Sequence, residues 1–424
     1  FLILFFTFGM DEMSRDIGIA GYYSLKTIYI MGISFTTISL IIIFLYDVLF
    51  KKNYQKYFYC KEIIISGLVL IISFFVGIIN LNLGINVLEG FMQDIQYFTV
   101  LFISIMVGSA TKNKEKIINI FLASMMAKAV GLAISSTLST VTGSYGGVNI
   151  YSYDTANILL AINIVMVIYI SKFKYKSLIL ISAISTIIVF SKQISGKDFI
   201  AFALMLIIMM FCFDNLGKHI KKIMYIIIGM FMSFIGYFIA FSYSNSRKNL
   251  LFTMKFEQFI SIFEGLIKSL SDPMAIYLIS ESPRLRILEF YNIIFCIKSN
   301  LLSLIFGRGI GGTFSDVNLH IPFLEGAYSD YAWSYRSFSI VHETFNFVIL
   351  KMGIIGVLYV AFLVFILLKN QQYVSYEFRV LKICAVICVI LLLGVSMKMA
   401  MFIGIIIGIS VNCEKERQEK IRDE

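Results

Sequence analysis

Apolar runs of membrane-spanning length recur along almost the whole chain and limit its fold more than any motif does. A helix needs about 20 mostly apolar residues to cross a hydrocarbon core of about 30 Å. Runs of this kind lie at 27–50, 62–80, 91–110, 117–140, 156–171, 177–191, 198–213, 223–243, 346–368, 381–396 and 399–412. Only 15% of the residues are charged, against about 25% in soluble domains. The sequence therefore predicts an all-α polytopic membrane protein.

The distribution of basic residues predicts how the chain is oriented. The sequence opens with FLILFFTFGM, which we interpret as the end of a further span, so about twelve spans are expected. Alternate short connections carry 20 lysine and arginine residues on one side of the membrane and 5 on the other. Basic short loops stay in the cytoplasm, which places both termini there. This bias accounts for most of the net charge of +10, so no nucleic acid partner is expected.

One long connection interrupts the alternation and falls on the outer side. It divides the chain into N-terminal spans (1–243), a large extracytoplasmic loop (244–345), C-terminal spans (346–412) and a cytoplasmic tail (413–424). The loop stretches 250–270 and 286–307 combine apolar spacing with charges, which predicts amphipathic helices on the membrane surface. Alternatively, the second stretch is a span, and the basic tail then lies outside.

Cationic side chains are found at the predicted outer membrane boundary. Arg284 and Arg286 lie in the loop, Lys197 lies in SGKDF at the mouth of a span, and His342 precedes another span. The planar fork of arginine suits a pair of phosphate or pyrophosphate oxygens, and lysine adds a point charge. Each residue alone also fits an interfacial anchor, and Arg286 could instead pair with Glu289 on the next helical turn.

Aromatic residues are concentrated in the loop segment FLEGAYSDYAWSYRSF (323–338). Trp333, Tyr335 and Arg336 are its candidate glycan-binding residues, because aromatic rings can stack against sugars. The same composition is typical of an interfacial aromatic belt, and both interpretations stay open. The chain has no Asp-X-Asp pair and its three histidines are far apart, so we predict neither a metal site nor a cofactor.

Three segments, in order, resemble the O-antigen polymerase and ligase family of the Wzy and WaaL types. FSKQISGKDFIAFALMLIIMM (190–210) is similar to the family's serine, arginine and glycine segment that opens a span. SPRLRILEFYNIIFCIKSNLLSLIFGRGIGG (282–312) is similar to its loop arginine, helix and glycine turn, and HETFNFVILKMGIIG (342–356) to its histidine and asparagine segment. Two positions depart from the pattern, since Lys197 replaces an arginine and Glu343 replaces the usual asparagine.

The resemblance implies a GT-C-like glycosyltransferase in the bacterial cytoplasmic membrane, with its active site on the outer face. It would polymerise polyprenyl diphosphate-linked oligosaccharide repeat units of O-antigen or capsular polysaccharide, with inversion and without a metal. Arg286, Arg284 and Lys197 would bind the diphosphate. Either arginine could match the family arginine, and Arg286 is preferred because Arg284 directly follows Pro283. His342 would take the acceptor proton, and Glu343 would orient it or act as the base itself. A chain-length regulator protein is a further expected partner.

Intramembrane lysines add a separate prediction, since a charge inside a span is costly unless it is paired or used. Lys351 lies about nine residues, or roughly 13 Å of helix, beyond His342, so it could lie below the bound diphosphate. Lys128 could pair with Glu89 or Asp94 of a neighbouring span.

Other functions remain open. A WaaL-type ligase, which transfers glycan to a lipid A core, would use the same site, and nothing in the chain names the acceptor. A flippase for the same lipid would not need an outer loop of about a hundred residues, and a secondary transporter would show two similar halves. For His342 alone the alternative is an interfacial histidine near a helix start. For Gly307, Gly309 and Gly311 it is a flexible turn.

Overall fold

A computed structural model provides the structure of the chain. It describes residues 29–30, 33–50, 60–111, 113–138, 142–145, 148–151, 246–324, 327–369, 374–394 and 397–423, with single positions between 177 and 208. Lys197, the opening segment, the predicted spans 156–171 and 223–243, and most of 177–191 and 198–213 lie outside the described residues.

The described residues are mostly helical. The helices are α1 Phe35–Leu49, α2 Lys61–Asn82, α3 Leu88–Ala110, α4 Lys114–Leu138, α5 Ser246–Ser269, α6 Glu281–Lys298, α7 Leu301–Phe306, α8 Asp330–Tyr335, α9 Thr344–Leu368, α10 Tyr376–Leu392 and α11 Met397–Asp423, with a 3-10 helix at Pro273–Leu278. Three antiparallel strand pairs, absent from the all-α prediction, join β1 Tyr29–Ile30 to β2 Ile33–Ser34, β3 Thr142–Tyr145 to β4 Val148–Tyr151, and β5 Phe314–Ser315 to β6 Ser337–Phe338.

Three of the described helices, α2, α3 and α9, are long and apolar enough to cross a membrane. Their ends lie within three residues of the predicted runs 62–80, 91–110 and 346–368. Helices also occupy the predicted runs 27–50, 117–140, 381–396 and 399–412 in whole or in part. A mostly helical protein with membrane-spanning helices is thus supported, and the total of twelve spans stays a prediction.

The chain divides into two compact units. The first comprises Phe1–Ser39, Lys112–Phe256 and Asn370–Ile387, and the second comprises Leu40–Thr111, Glu257–Lys369 and Cys388–Glu424. The first unit holds α4 and the β3–β4 pair. The second holds α2, α3, α6, α9 and α11, and every residue of the candidate site described below belongs to it.

Helices α3 and α11 of the second unit pack with their backbones close together. A Cβ on Gly408 would lie 2.2 Å from the carbonyl oxygen of Ile105, and one on Gly404 would lie 2.6 Å from that of Leu101. Small residues at such positions let membrane helices approach closely, which increases dispersion contacts where no hydrophobic driving force exists.

The long connection 244–345, predicted to lie on the outer side, is helical where the sequence predicts it. Helix α5 covers most of 250–270, and the stretch 286–307 forms α6 and α7. The two helices separate at Asn300, whose side-chain oxygen accepts a hydrogen bond from the Leu302 N–H at 2.9 Å and so caps α7. None of these three helices is among the described helices that could cross a membrane. Their position on the membrane surface stays a prediction.

Helix α6 buries one face that contains two polar residues. The buried positions recur at helical spacing and are Leu285, Leu288, Glu289, Asn292, Ile293 and Ile297. Asn292 binds the following loop, since its amide nitrogen donates to the Leu319 carbonyl at 2.6 Å and its oxygen accepts from the Leu319 N–H at 3.0 Å. Residues 314–321 are therefore held against this face.

The glycine turn after α7 is tightly packed. Gly307, Gly309 and Gly311 have φ angles of 70°, 75° and 78°, in the region that favours glycine. A Cβ on Gly309 would lie 2.1 Å from the Gly77 nitrogen in α2, and one on Gly311 would lie 2.7 Å from the Phe91 Cα in α3. The interpretation of these glycines as a flexible turn is therefore wrong, because neighbouring backbones enclose them.

Helix α9 bends where this turn meets it. Gly353 has φ 60° and ψ −145°, so the regular helical ladder is interrupted inside the span. Near this kink, the Leu350 carbonyl accepts a hydrogen bond from the Arg308 N–H in the glycine turn at 2.7 Å. Non-helical backbone at membrane depth is tolerated where it is buried in protein, and the glycine turn gives that cover.

Candidate functional site

The centre of the candidate site is a hydrogen bond between His342 and Glu289. His342 lies just before α9, and Glu289 lies on the buried face of α6. The histidine Nδ1 is 2.6 Å from Glu289 Oε1, and the two side chains are 27% and 0% exposed. Since a carboxylate oxygen accepts, Nδ1 carries the proton. When the ring is neutral, its lone pair therefore lies on Nε2.

Glu289 has four hydrogen-bond donors around its two oxygens. Oε1 accepts from the Tyr328 hydroxyl at 2.5 Å as well as from the His342 ring. Oε2 accepts from the His342 backbone N–H at 3.2 Å and from Asn346 Nδ2 at 3.4 Å. Such a set replaces the water that an ionised carboxylate loses on burial.

Tyr328 stays a hydrogen-bond donor in this environment. Its side chain is buried and its ring meets the His342 ring edge to face, with centroids 5.2 Å apart. Burial, and secondly the adjacent Glu289, raise the pKa of Tyr328 well above its ordinary value of 10.0. The phenol therefore keeps its proton at physiological pH and donates it to Glu289.

A second charged pair lies beside the first. Arg286 Nε is 2.7 Å from Glu343 Oε1, with side chains 31% and 26% exposed. Arg286 Nη1 also donates to Ser282 Oγ at 2.9 Å and to the Ser282 carbonyl at 3.2 Å. Glu343 is the N-cap residue of α9, but its side chain makes no capping hydrogen bond. The alternative in which Arg286 pairs with Glu289 is wrong, because Arg286 pairs with Glu343 and Glu289 accepts from His342.

The two pairs connect the same two segments. Arg286 and Glu289 are three residues apart on α6, so they are neighbours on its surface, and their partners are consecutive residues. Asn346 adds a third link, since its Nδ2 donates to the Arg286 carbonyl at 2.9 Å. A cation, a histidine and two carboxylates are thereby brought together where a span begins.

The two candidate arginines have different surroundings. Arg284 Nη1 donates to the Tyr277 carbonyl at 3.0 Å, and so binds the 3-10 helix rather than the segment around His342. Arg286 is therefore the arginine that the structure brings together with His342 and Glu343. Lys197 lies outside the described residues.

The predicted glycan-binding residues are placed differently from one another. Arg336, in the left-handed conformation at φ 50°, forms an ion pair with Asp316 through Nη2 and a hydrogen bond to it through Nε at 3.1 Å. The guanidinium group of Arg336 therefore links two parts of the loop. Tyr335 is 68% exposed, and its ring contacts that of Tyr331 in a tilted arrangement with centroids 4.5 Å apart.

Trp333 belongs to a row of rings that ends at His342. Its centroid lies 5.1 Å from that of Phe323 and 5.2 Å from that of Tyr328, which in turn contacts the histidine. Phe323 is 70% exposed, so the row runs from the surface to the charged residues. The Trp333 Nε1 atom is buried and has no hydrogen-bond partner among the described residues.

Lys351 lies in α9 and is fully buried. Its Nζ is 2.6 Å from Asp94 Oδ2 and donates to the carbonyls of Gly312 at 2.7 Å and Ser339 at 3.1 Å. Asp94 also accepts from the Gly311 N–H at 2.8 Å. The ammonium therefore binds the glycine turn, and the prediction that it lies below a diphosphate is not supported. Asp94 is paired with Lys351, while the side chain of Lys128 lies outside the described residues.

Sequence reasoning missed Glu289, Tyr328 and Asn346 as parts of the site. A single acidic residue at a buried helical position is the one available signal, because an ionisable group there requires partners. For Tyr328 and Asn346 the sequence offers no comparable signal, since both residue types are common at interfaces. Among the described residues, no group of three or more His, Cys, Asp and Glu side chains is arranged to hold a metal ion.

No protein-family model, curated protein or solved structure matches this chain.

Proposed function

We propose that this chain is a GT-C-like membrane glycosyltransferase with about twelve spans, which polymerises polyprenyl diphosphate-linked oligosaccharide repeat units. The observation that carries the proposal is the hydrogen bond between His342 Nδ1 and the buried Glu289, at 2.6 Å, on the helical turn that also bears Arg286. A buried carboxylate that holds an imidazole in one tautomer is the arrangement that general-base catalysis requires.

His342 takes the proton from the acceptor. With Nδ1–H bound to Glu289, Nε2 accepts the proton of a glycan hydroxyl as its oxygen attacks the anomeric carbon of the donor. Glu289 then stabilises the imidazolium cation that results. The new glycosidic bond forms on the face opposite to the leaving group, which inverts the anomeric configuration.

Arg286 binds the group that leaves. The bond between the anomeric carbon and the diphosphate oxygen breaks, and negative charge develops on that oxygen. A guanidinium positioned there stabilises the charge in the transition state. Arg284 and Lys197, which lies outside the described residues, are the further cations assigned to the diphosphate in the proposal. These cations supply the neutralisation without a metal in the proposed reaction.

The row of aromatic rings provides a path for the glycan. Phe323 and Trp333 offer ring faces against which sugar rings could stack, and Tyr328 connects them to His342. Tyr335, with its exposed ring, is a further contact. The proposed setting is the outer face of the bacterial cytoplasmic membrane, with both termini inside and a chain-length regulator as partner.

The test is polymerisation by the purified protein in lipid, with a synthetic polyprenyl diphosphate-linked repeat unit as substrate and a gel ladder as readout. The unsubstituted protein should give a ladder with or without EDTA. Arg286→Ala and His342→Ala should abolish it, whereas Glu264→Gln, a change at an exposed carboxylate of α5, should not.

Two results would move the assignment. Glycan transfer only after a lipid A core acceptor is added would identify a ligase that uses the same site. Absence of transfer to either acceptor, together with movement of the lipid-linked repeat across proteoliposomes, would identify a flippase and reject the glycosyltransferase.

A further inference from the structure

Glu343 forms an ion pair with Arg286, the residue that binds the diphosphate in the proposed function. Its Oε1 lies 2.7 Å from Arg286 Nε, and about a quarter to a third of each side chain is exposed. An incoming anion can therefore approach these two side chains, but the Arg286 Nε atom itself is buried, so the anion must displace the carboxylate to reach it.

In the proposed topology the pair lies at the boundary of the membrane. Glu343 is the N-cap residue of α9, whose length and composition allow it to cross a membrane, so the proposal places it where the chain enters the bilayer. The phosphates of ordinary phospholipids lie at the same level. An arginine here meets these headgroups in large excess over a rare lipid-linked substrate.

Arg286 does not depend on Glu343 for its orientation. Its Nη1 is held by both the hydroxyl and the carbonyl oxygen of Ser282, one turn earlier on α6. The guanidinium therefore stays in place when the carboxylate moves away. Because the guanidinium is held from its own helix, exchange of its partner requires only that the Glu343 carboxylate moves.

The charge of the competing anion decides the exchange. A phosphodiester headgroup carries a single negative charge, like the carboxylate, and gains little by replacing it. Both anions can bind the guanidinium fork through two oxygens, but a diphosphate carries more charge and is attracted more strongly. An internal carboxylate therefore weakens the binding of both anions but leaves the more highly charged one able to bind.

We propose that Glu343 is a specificity-determining residue, which keeps phospholipid headgroups off Arg286 and yields to the diphosphate of the lipid-linked donor. This inference rests on the proposed function, because it assumes that Arg286 binds the diphosphate. It adds a role for the glutamate that differs from those of orienting residue or base.

The experiment measures binding of geranylgeranyl diphosphate to the full-length protein in nanodiscs. One set of discs contains phosphatidylcholine alone, and the other also contains phosphatidylglycerol. In neutral discs Glu343→Gln should bind the probe about fivefold more tightly than the unsubstituted protein, since a competing ion pair is lost. In anionic discs this gain should disappear, whereas the unsubstituted protein should change little.

Matched controls separate specificity from charge and folding. Glu264→Gln removes the same charge from an exposed carboxylate, which lies 3.7 Å from Lys268, and should behave as the unsubstituted protein does. Glu343→Ala should reproduce the direction of Glu343→Gln. Thermal unfolding of each variant in both kinds of disc verifies that the bound protein is folded.

Two results would overturn the inference, and they differ from failure of the proposed function. Equal probe affinity of Glu343→Gln and the unsubstituted protein in neutral discs would show that the carboxylate does not compete. An equal loss of probe affinity in Glu343→Gln and the unsubstituted protein on adding phosphatidylglycerol would show that the carboxylate does not discriminate between the two anions. Absence of probe binding by folded protein, or probe binding that Arg286→Ala leaves unchanged, would reject the diphosphate site itself and with it the proposed function.

Discussion

Glu289 and His342 are 53 residues apart in the sequence, yet Oε1 of the one lies 2.6 Å from Nδ1 of the other. The glutamate is fully buried and the histidine is partly exposed. The buried charge of Glu289 must be matched by fixed hydrogen-bond donors. The carboxylate that these donors hold in place then sets the tautomer of the His342 imidazole.

Glu289→Gln is expected to lower kcat by about 100-fold, because the amide cannot stabilise an imidazolium cation. KM for the lipid-linked donor should change little, since Glu289 is a positioning residue that does not touch the diphosphate. Steady-state kinetics of polymerisation measure both values. Glu281→Gln, an exposed carboxylate at the start of the same helix, is the matched control. A rise in KM with unchanged kcat would contradict the assigned role.

Arg286→Ala and Arg284→Ala should differ in effect although the two residues are only two apart. Arg286→Ala should lower kcat/KM by about 100-fold or more through loss of a charge-assisted contact to the leaving group. Arg284→Ala removes a hydrogen bond to the Tyr277 carbonyl and should lower it by less than about tenfold. Arg286→Lys should recover only part of the loss, because lysine lacks the planar fork. A larger loss of kcat/KM in Arg284→Ala than in Arg286→Ala would instead assign diphosphate binding to Arg284.

Tyr328→Phe should lower the free energy of unfolding by about 1 kcal/mol at neutral pH, because Glu289 loses one donor. The pH dependence has a definite sign. The pKa of Tyr328 is raised in the folded state, so above about pH 10 the unfolded chain releases a proton that the folded chain keeps. The contribution of Tyr328 to stability is therefore complete below that pH and decreases above it.

Thermal unfolding in detergent between neutral and strongly alkaline pH tests this sign. The unsubstituted protein should lose stability more steeply than Tyr328→Phe at the alkaline end. Tyr331→Phe removes the hydroxyl of an exposed tyrosine and is the control. Parallel curves for the unsubstituted protein and Tyr328→Phe would show that the buried phenol titrates normally.

Lys351→Met should destabilise the protein by about 3 to 5 kcal/mol, because it leaves Asp94 as an uncompensated buried charge. Combining it with Asp94→Leu should be less harmful than Lys351→Met alone, since both charges are then removed. Denaturant unfolding of the single and double variants gives the coupling energy. Additive effects would mean that the two charges do not stabilise each other.

Gly309→Ala and Gly84→Ala separate backbone strain from steric overlap. Both glycines have positive φ, 75° and 69°, but a Cβ on Gly84 meets no atom within 4 Å. Gly84→Ala should therefore cost about 1 to 2 kcal/mol. Gly309→Ala forces a methyl group against the backbone of Gly77 and should prevent correct folding, as judged by yield and monodispersity in detergent. Equal yields would show that the turn can move away from α2.

Span positions could be predicted well where hydropathy alone decides. The runs 62–80 and 346–368 agree closely with Lys61–Asn82 and Thr344–Leu368 because the membrane requires a helix of that length. The stretch 286–307 was predicted as one helix, whereas the structure ends α6 at Lys298 and begins α7 at Leu301. The hydrophobic spacing continues through the break, and only the Asn300 cap indicates it.

The partners within the site could not be predicted from the sequence. Arg286 and Glu289 have the spacing of a local ion pair, so the pattern favours a bond between them. The structure gives each residue a partner from the start of α9, because packing of one helix against another determines which charges meet. The tight glycine turn was also missed, since positive φ angles and backbone contacts with Gly77 and Phe91 leave no mark in composition.

The contacts of Arg286 with Glu343 and of Glu289 with His342 both join α6 to the segment at the start of α9, so a movement between these two segments changes both contacts. Arg286 and Glu289 belong to a rigid helix, and Glu343 and His342 are consecutive residues at the beginning of another. A displacement of α6 away from the start of α9 would lengthen both contacts at once. The base would then lose the carboxylate that orients it, and the cation would lose the carboxylate that competes for it, so a single motion changes both halves of the site.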